Sequence, residues 1–404
     1  MLGPGLITGA SDDDPSGIAT YSQAGAAYGL TTLWTALLTF PLMASIQEMC
    51  ARIGLVTETG LTGTLKKNYP RPILYIMVLF SFPAIVMNLG ADIEGMGAVG
   101  NLLFPSVKAT YFSIFFTVIL LVLIIYLPYQ KIARVLKYLC IVLLVYLIVP
   151  FLYHQDWLKI IKASFLPVVR FNKPFISILV GILGTTISPY LFFWQATMEV
   201  EDRKKRRYVV VNKRILKNMK QDVDFGMLFS NIVMYFIILT SGTVLFNSRI
   251  YQITTVEEAA KALKPLAGDS AYILFAIGVI GTGLLAIPVL SGSLSYIVTE
   301  TFGWEQGLDK KFAKARAFYL IIALSLILGL LLNYIGINPI KALIYSAILY
   351  GLTAPVLIAI ILHITNNKKV MGEFTNGLRS NILGTLSLVI MSAAAVILVY
   401  LEFF

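Results

Sequence analysis

Long apolar runs alternate along the chain with short polar or Pro/Gly-rich breaks. Eleven of the runs are long enough to cross about 30 Å of hydrocarbon. They lie at 2–28, 31–54, 73–103, 109–129, 132–153, 174–199, 224–247, 270–300, 314–333, 340–364 and 379–403. Within each run the apolar character is continuous instead of alternating residue by residue, which predicts membrane-spanning helices and not a β-barrel. The longest gaps, 201–223 and 248–269, are too short to form a second domain. The first reads as a solvated loop. The second carries Val256, Ala259, Ala260 and Leu263 at helical spacing and reads as an amphipathic surface helix. Residues 1–404 are thus expected to form a single transmembrane domain.

Composition sharpens this picture. Of the 404 residues 58% are hydrophobic and 13% charged, against about 25% charged in soluble domains. A soluble enzyme, a nucleic-acid reader and a disordered scaffold are excluded. The net charge of +11 is unevenly placed. If the N-terminus is cytoplasmic, 23 of the 32 basic residues fall in cytoplasmic connections. They include Arg52, Lys66, Lys67 and Arg71, then Lys131, Arg134 and Lys137, and the dense run 203–220. The asymmetry predicts a cytoplasmic N-terminus and an extracellular C-terminus in a bacterial-type plasma membrane. The run 203–220 has Tyr208 as its one aromatic residue, so it suits anionic lipid and not nucleic acid. Cys50 and Cys140 sit in apolar surroundings and are expected to be reduced. The first run contains Asp12, Asp13 and Asp14, which no cleavable signal segment would hold.

Function in a membrane concentrates where burial rules fail. The sharpest failure is Gly9-Ala10-Ser11-Asp12-Asp13-Asp14-Pro15-Ser16-Gly17. Three consecutive carboxylates precede a proline that cannot continue a helix from the preceding turn. A broken helix is predicted, with an unwound stretch at Asp14–Gly17 and a second half from about Gly17 to Tyr28. The alternative is a surface loop before the first true span. A second break is predicted at Thr185–Pro189, within Gly181-Ile182-Leu183-Gly184-Thr185-Thr186-Ile187-Ser188-Pro189-Tyr190, with an ordinary proline kink as its alternative. Matched interruptions in the first and sixth runs mark two inverted five-helix repeats with a substrate site between the breaks. Repeat one covers about 1–153, repeat two about 174–364, and the run at 379–403 is an addition.

Asn88, Asp92 and Glu94 are polar positions within the third run. They read either as a proton or ion path or as a hydrogen-bond clasp to the unwound part of the first helix. Glu48 is expected to snorkel or cap near a span end, and Glu199 and Glu300 to lie where charge is cheap. His154 and His363 fall at span ends as interfacial residues. Zinc or copper-thiolate ligand patterns and nucleotide or hydrolase motifs are absent from the sequence, so neither an enzyme nor a resident cofactor is indicated. No obligate protein partner is indicated.

Taken together, Gly3-Pro4-Gly5, Asp14-Pro15-Ser16-Gly17 and Ala24-Gly25-Ala26, set in eleven spans, resemble the Nramp divalent-metal transporters over essentially the whole chain. The resemblance implies an all-α, LeuT-type inverted repeat of five plus five helices and one further helix, with helices 1 and 6 broken. It also implies a metal site built from an Asp and an Asn of an Asp-Pro-Gly-Asn break, a carbonyl and a Met of a Met-Pro-His break, and a Gln of helix 10. Those positions fall on Asp14, Gly17, Thr185, Ser188 and Ala347, and the His falls on Tyr190. The helix 3 Asp falls on Asp92 and the Glu of the family's proton route on Gly95. The expected metal residues are therefore Asp14, Gly17, Thr185 and Ser188. Asp12, Asp13, Ser16 and Tyr190 are expected to be outer or entrance residues. Loss of the thioether removes a filter for soft ions, and a roomier oxygen site suits Mg²⁺, which keeps several waters. The pattern is most similar to the Nramp-related magnesium transporters. The expected cargo is Mg²⁺, with Mn²⁺ also carried, moved without proton coupling. The alternatives are a proton-coupled Mn²⁺/Fe²⁺ carrier and a carrier of an organic anion or metal–carboxylate complex.

Overall fold

The structure is a computed structural model that describes residues 3–127, 141–152, 155–205 and 211–403. Two short helices, α1 (Pro4–Asp12) and α2 (Pro15–Tyr28), replace the first predicted span. They are followed by α3 (Trp34–Thr57), α4 (Leu61–Asn68), α5 (Arg71–Leu103) and α6 (Ala109–Tyr126). After α7 (Trp157–Phe165), the sixth span is again a pair, α8 (Lys173–Thr186) and α9 (Pro189–Lys205). The remainder is α10 (Lys213–Val244), α11 (Val256–Ala260), α12 (Ala271–Phe302), α13 (Arg316–Leu332), α14 (Pro339–Asn366) and α15 (Leu378–Phe403). Among the described residues seven helices are long and apolar enough to cross a membrane, one of them being the α8–α9 pair read through its break. Helix α3 fails that composition test because it carries buried Gln47, Glu48 and Arg52; α1 and α2 are individually too short.

Proline explains much of the segmentation. Pro4, Pro15, Pro189 and Pro339 each open a helix, where a missing N–H costs nothing. Pro41, Pro83, Pro288 and Pro355 lie inside helices that continue through them. Proline alone therefore does not break a span here. Pro15 and Pro189 mark breaks because the two residues before each leave helical geometry and polar side chains satisfy the freed backbone groups.

Several expectations need correction. The gap 201–223 is mostly helix, because α9 runs to Lys205 and α10 starts at Lys213. In that extension Met219 and Val223 are buried, with Ile215 and Leu216 packed against the core, so an apolar stripe holds the basic segment as helix. Arg203 is also no free loop charge; it donates to the Leu55 carbonyl at 2.8 Å and pairs with Glu58 at 3.0 Å. Glu48 does not snorkel. It is buried against Arg52 at 3.1 Å, and Arg52 donates to the carbonyls of Phe374 and Thr375. Glu300 is buried too, accepting from Gly60 N–H at 3.1 Å and Gly63 N–H at 2.7 Å at the start of α4. Glu199 is likewise buried and accepts from Gln195 at 2.9 Å. The short helices α4 and α7 are absent from the sequence-based reading, since neither is long enough to register as a span. Residues 132–140 and 153 of the predicted run 132–153, which include Arg134, Lys137 and Cys140, and also Lys131, His154, Arg206, Arg207 and Tyr208, lie outside the described residues.

The half-helices are seated by glycine. Gly5 and Gly9 of α1 lie against the backbone of α10 at Val223 and Gly226. Gly25 of α2 lies against Ile238 and Gly242 farther along α10. Gly184 of α8 meets the backbone of Ala347 and Gly351 on α14, and Gly54 of α3 meets Ala196 on α9. In a membrane, where lipid is as apolar as leucine, such small-residue contacts supply helix association through close backbone approach. The inner end of α1 is fixed as well: Asp222 on α10 accepts from the N–H groups of Gly3 and Gly5 at 3.0 and 2.7 Å. A Cβ at Gly9 would overlap the Gly226 carbonyl, so Gly9→Val is expected to destabilise the purified protein by about 2 kcal/mol or more. Gly377→Ala, with nothing within 4 Å of its Cβ, should stay within about 0.5 kcal/mol. Thermal melts in detergent compare the two, and equal melting temperatures would refute the seating argument.

Candidate metal centre

Both breaks are two residues wide, narrower than expected. Helix α1 ends at Asp12, and Asp13 adopts φ −81°, ψ 57°. Helix α8 ends at Thr186, and Ile187 adopts φ −109°, ψ 62°. Each is followed by one polar residue, Asp14 or Ser188, and then by the proline that opens the next helix. The two interruptions thus share a backbone plan. Each leaves carbonyls at one helix end and N–H groups at the next helix start.

Asp14 handles the N–H groups at its break. Its Oδ1 accepts from Gly17 N–H at 2.7 Å, capping α2, and its Oδ2 accepts from Asn88 Nδ2 at 2.9 Å. Ser188 handles a carbonyl: its Oγ donates to the Thr185 oxygen at 2.6 Å. The breaks face one another across Gly17. A Cβ placed there would stand 3.2 Å from Thr185 Oγ1 and 3.4 Å from Asp14 Oδ1. The structure therefore brings Asp14, Gly17 and Thr185 together, with Ser188 bonded to Thr185. An asparagine at 17 would project between Asp14 and Thr185; glycine leaves that space open.

The surrounding shell draws on α5, α9, α10 and α14. Asp92 accepts from Ser16 N–H and from Asn88 Nδ2, both at 3.2 Å. Ser346 on α14 donates to Asn88 Oδ1 at 2.9 Å and lies 3.1 Å from Ser16 Oγ, which bonds the Leu343 carbonyl. Asp92 thus clasps the start of α2. Glu94 is half-buried two positions on, a spacing that turns it to another face of α5. Tyr190 donates to the Ser11 carbonyl at 2.8 Å, and its ring lies 5.8 Å from that of Tyr350. It ties α9 to the end of α1. Asp12 and Asp13 both reach Ser230 of α10, at 2.8 and 3.2 Å, and both are buried instead of facing an entrance.

The hydrogen-bond clasp to the first break, one of the two sequence readings of Asn88 and Asp92, is the arrangement these two side chains adopt. Two further participants are missed in the sequence. Ser230 and Ser346 are single serines in apolar helices, a signal shared with many structural serines. Ala347 presents its backbone to Gly184, and the polar contact of that turn comes from the adjacent Ser346.

Asp12, Asp13, Asp14 and Asp92 are all at most 2% exposed. Among the described residues no Lys, Arg or His pairs with any of them. Burying ionised carboxylates without counter-charge is costly, and such groups either take up a proton or are joined by a cation. Nor do three or more His, Cys, Asp or Glu side chains converge as a metal cluster among the described residues. The donors at the breaks are instead a carboxylate, carbonyls and hydroxyls, an oxygen set suited to hard cations.

An acidic, oxygen-lined site between two broken helices that pack inside a helical bundle defines a membrane transporter of the inverted-repeat class. The chain matches the model of the Nramp family, "Natural resistance-associated macrophage protein-like", over residues 5–401, and it belongs to that family of multi-pass membrane transporters. It is 27% identical over 391 residues to the divalent metal cation transporter MntH of Caldanaerobacter subterraneus, covering 95% of this chain and 89% of the relative. It is 24% identical over 387 residues to MntH of Listeria welshimeri, covering 93% and 84%. Its fold is similar to that of the Eremococcus coleocola manganese transporter, with a TM-score of 0.76 at 18% identity over 98% of this chain and 85% of that one. It is also similar to Mhp1, a nucleobase-cation-symport-1 family transporter, with a TM-score of 0.59 at 12% identity over 99% and 93%. The fold is the LeuT-type inverted repeat with one additional helix, and the chain is not an enzyme.

Asn88 holds Asp14 and Asp92 through one amide. Asn88→Leu leaves both carboxylates short of a donor and is expected to weaken Mn²⁺ binding by about 10–100-fold, as loss of a supporting contact commonly does. Equilibrium dialysis measures it, and unchanged affinity would detach Asn88 from the site.

Proposed function

We propose that the protein moves divalent metal cations across a membrane by alternating access, with Asp14, Gly17, Thr185 and Ser188 around the ion. Mg²⁺ is the main cargo and Mn²⁺ is also carried. The observation that carries this reading is the donor set at the facing breaks: one carboxylate, carbonyl and hydroxyl oxygens, and no sulfur at position 188. Transport of divalent metal is what the names of the curated relatives describe for those proteins. The choice of Mg²⁺ rests on hardness. Soft ligands select softer metals, whereas Mg²⁺ prefers oxygen and retains water, and neither Gly17 nor Ser188 brings a soft ligand to the breaks.

Two further parts of the reading concern architecture and driving force. Repeat one occupies about 1–153, repeat two about 174–364 and the additional helix about 379–403, with the N-terminus cytoplasmic and the C-terminus extracellular. Transport is uncoupled from protons. The Tyr190 hydroxyl is committed to the Ser11 carbonyl, Gly95 offers no side chain, and Asp92 is engaged by Ser16 and Asn88. The ion then moves down its own gradient and the membrane potential, worth about 2.3 kcal/mol per charge per 100 mV.

Uptake into proteoliposomes tests these statements. Asp14→Ala should abolish Mg²⁺ and Mn²⁺ uptake in a protein that still elutes as folded; full uptake would refute the site. Ser188→Met should raise competition by Cd²⁺ against Mg²⁺ about tenfold, or ~1.4 kcal/mol; an unchanged profile would turn Ser188 away from the ion. Internal pH should stay constant while Mg²⁺ enters down an imposed potential. Metal-dependent acidification lost in Asp92→Asn would make α5 a proton path.

A further inference from the structure

The buried acids exceed what one divalent ion neutralises, and they face two ways. Asp14 and Asp92 turn toward Gly17, Ser16 and Asn88, on α2 and α5. Asp12 and Asp13 turn toward Ser188 at the second break and Ser230 on α10. Proton counting on this second side leaves a deficit. A serine hydroxyl has one proton to donate. Ser230 Oγ lies 2.8 Å from Asp12 Oδ2 and 3.2 Å from Asp13 Oδ1, so with both carboxyls ionised one of the two contacts sets oxygen against oxygen with no proton between. Ser188 Oγ gives its proton to the Thr185 carbonyl at 2.6 Å, which leaves its 3.5 Å approach to Asp12 Oδ1 without one. The other Asp13 oxygen, Oδ2, is buried with no hydrogen-bond partner at all, on a side chain that is 1% exposed. An orphaned carboxylate oxygen in this setting costs more than any neutral polar atom.

We propose that Asp12, Asp13, Ser188 and Ser230 form a second position for a divalent cation, distinct from the one at Asp14. This rests on reading the breaks as a cation site and adds a stoichiometry to it. A cation beside Asp13 Oδ2 supplies the missing partner and turns the oxygen–oxygen contacts into shared coordination. Two carboxylates and two hydroxyls leave the remaining positions to water or carbonyls, the pattern of Mg²⁺ and Mn²⁺ sites. With all four acids ionised the charge also closes, since two divalent ions balance four carboxylates. Ser188 touches both positions, so the second break senses both ions.

The test is equilibrium dialysis of the full chain in detergent against Mn²⁺, with bound metal counted per chain by atomic emission. Wild type is expected to saturate at two ions, Asp14→Asn at one, and the double variant Asp12→Asn with Asp13→Asn at one. Ser230→Ala, a mild change that keeps both carboxylates, should weaken one of the two sites about tenfold and leave the other unchanged. Saturation of wild type at one ion, lost in Asp14→Asn, would overturn the second position and leave the transport reading standing. Absence of binding in wild type would overturn both. Saturation at two ions that persists in the double aspartate variant would place the second ion elsewhere and overturn this assignment.

Discussion

A helix interrupted at membrane depth leaves backbone N–H and C=O groups that no water reaches, and each must find a partner inside the protein. This constraint organises the whole centre. Asp14 accepts from the freed Gly17 N–H while Asn88 holds its other oxygen, and Ser188 donates to the freed Thr185 carbonyl. The side chains that repair the backbone are the same ones that the proposed function sets around an ion. Repair and recognition are one arrangement, so the breaks are tolerated only because the acid and the hydroxyl stand where they do.

The rest of the bundle keeps the four half-helices in position. Glycines let α1 and α2 lie on the backbone of α10, and α8 on that of α14, at distances no side chain would allow. Polar ties lock the rotation of α1 about its axis. Asp222 holds its start, Thr8 bonds Gln195 of α9, and Tyr190 reaches the Ser11 carbonyl at its end. Half-helices α1 and α9 are thereby joined to each other, while Asn88 and Ser346 join α2 to α5 and α14.

The spans, the two breaks and the acid at position 14 were legible in the sequence, because apolar run length and proline beside polar residues each have a direct physical cause. The width of the breaks was not. Pro15 and Ser16 looked like part of the unwound stretch, yet proline is at home in a first helical turn, and the interruption closes before it. The long amphipathic start of α10 was hidden by its basic residues, whose apolar stripe of Met219 and Val223 emerges only once its packing partners are known. Charges at span ends misled in the same way. Glu48, Arg52 and Glu300 looked peripheral by position, but each satisfies or pairs with a group brought from far along the chain, at 374–376 or at 60–63. Ser230 and Ser346 matter through three-dimensional neighbours that spacing cannot supply.

The glycine seats have a consequence for how such a protein diverges. A side chain at Gly9, Gly184 or Gly54 collides with the backbone of a neighbouring helix, so those positions resist change whatever the cargo is. Position 17 lies under no such rule, since a Cβ there meets ordinary side-chain atoms of Asp14, Thr185 and Tyr21. Scaffold and selectivity are thus written in separate letters. A substitution at the break can therefore change the chemistry offered there while the helix seats, and with them the bundle, stay as they are.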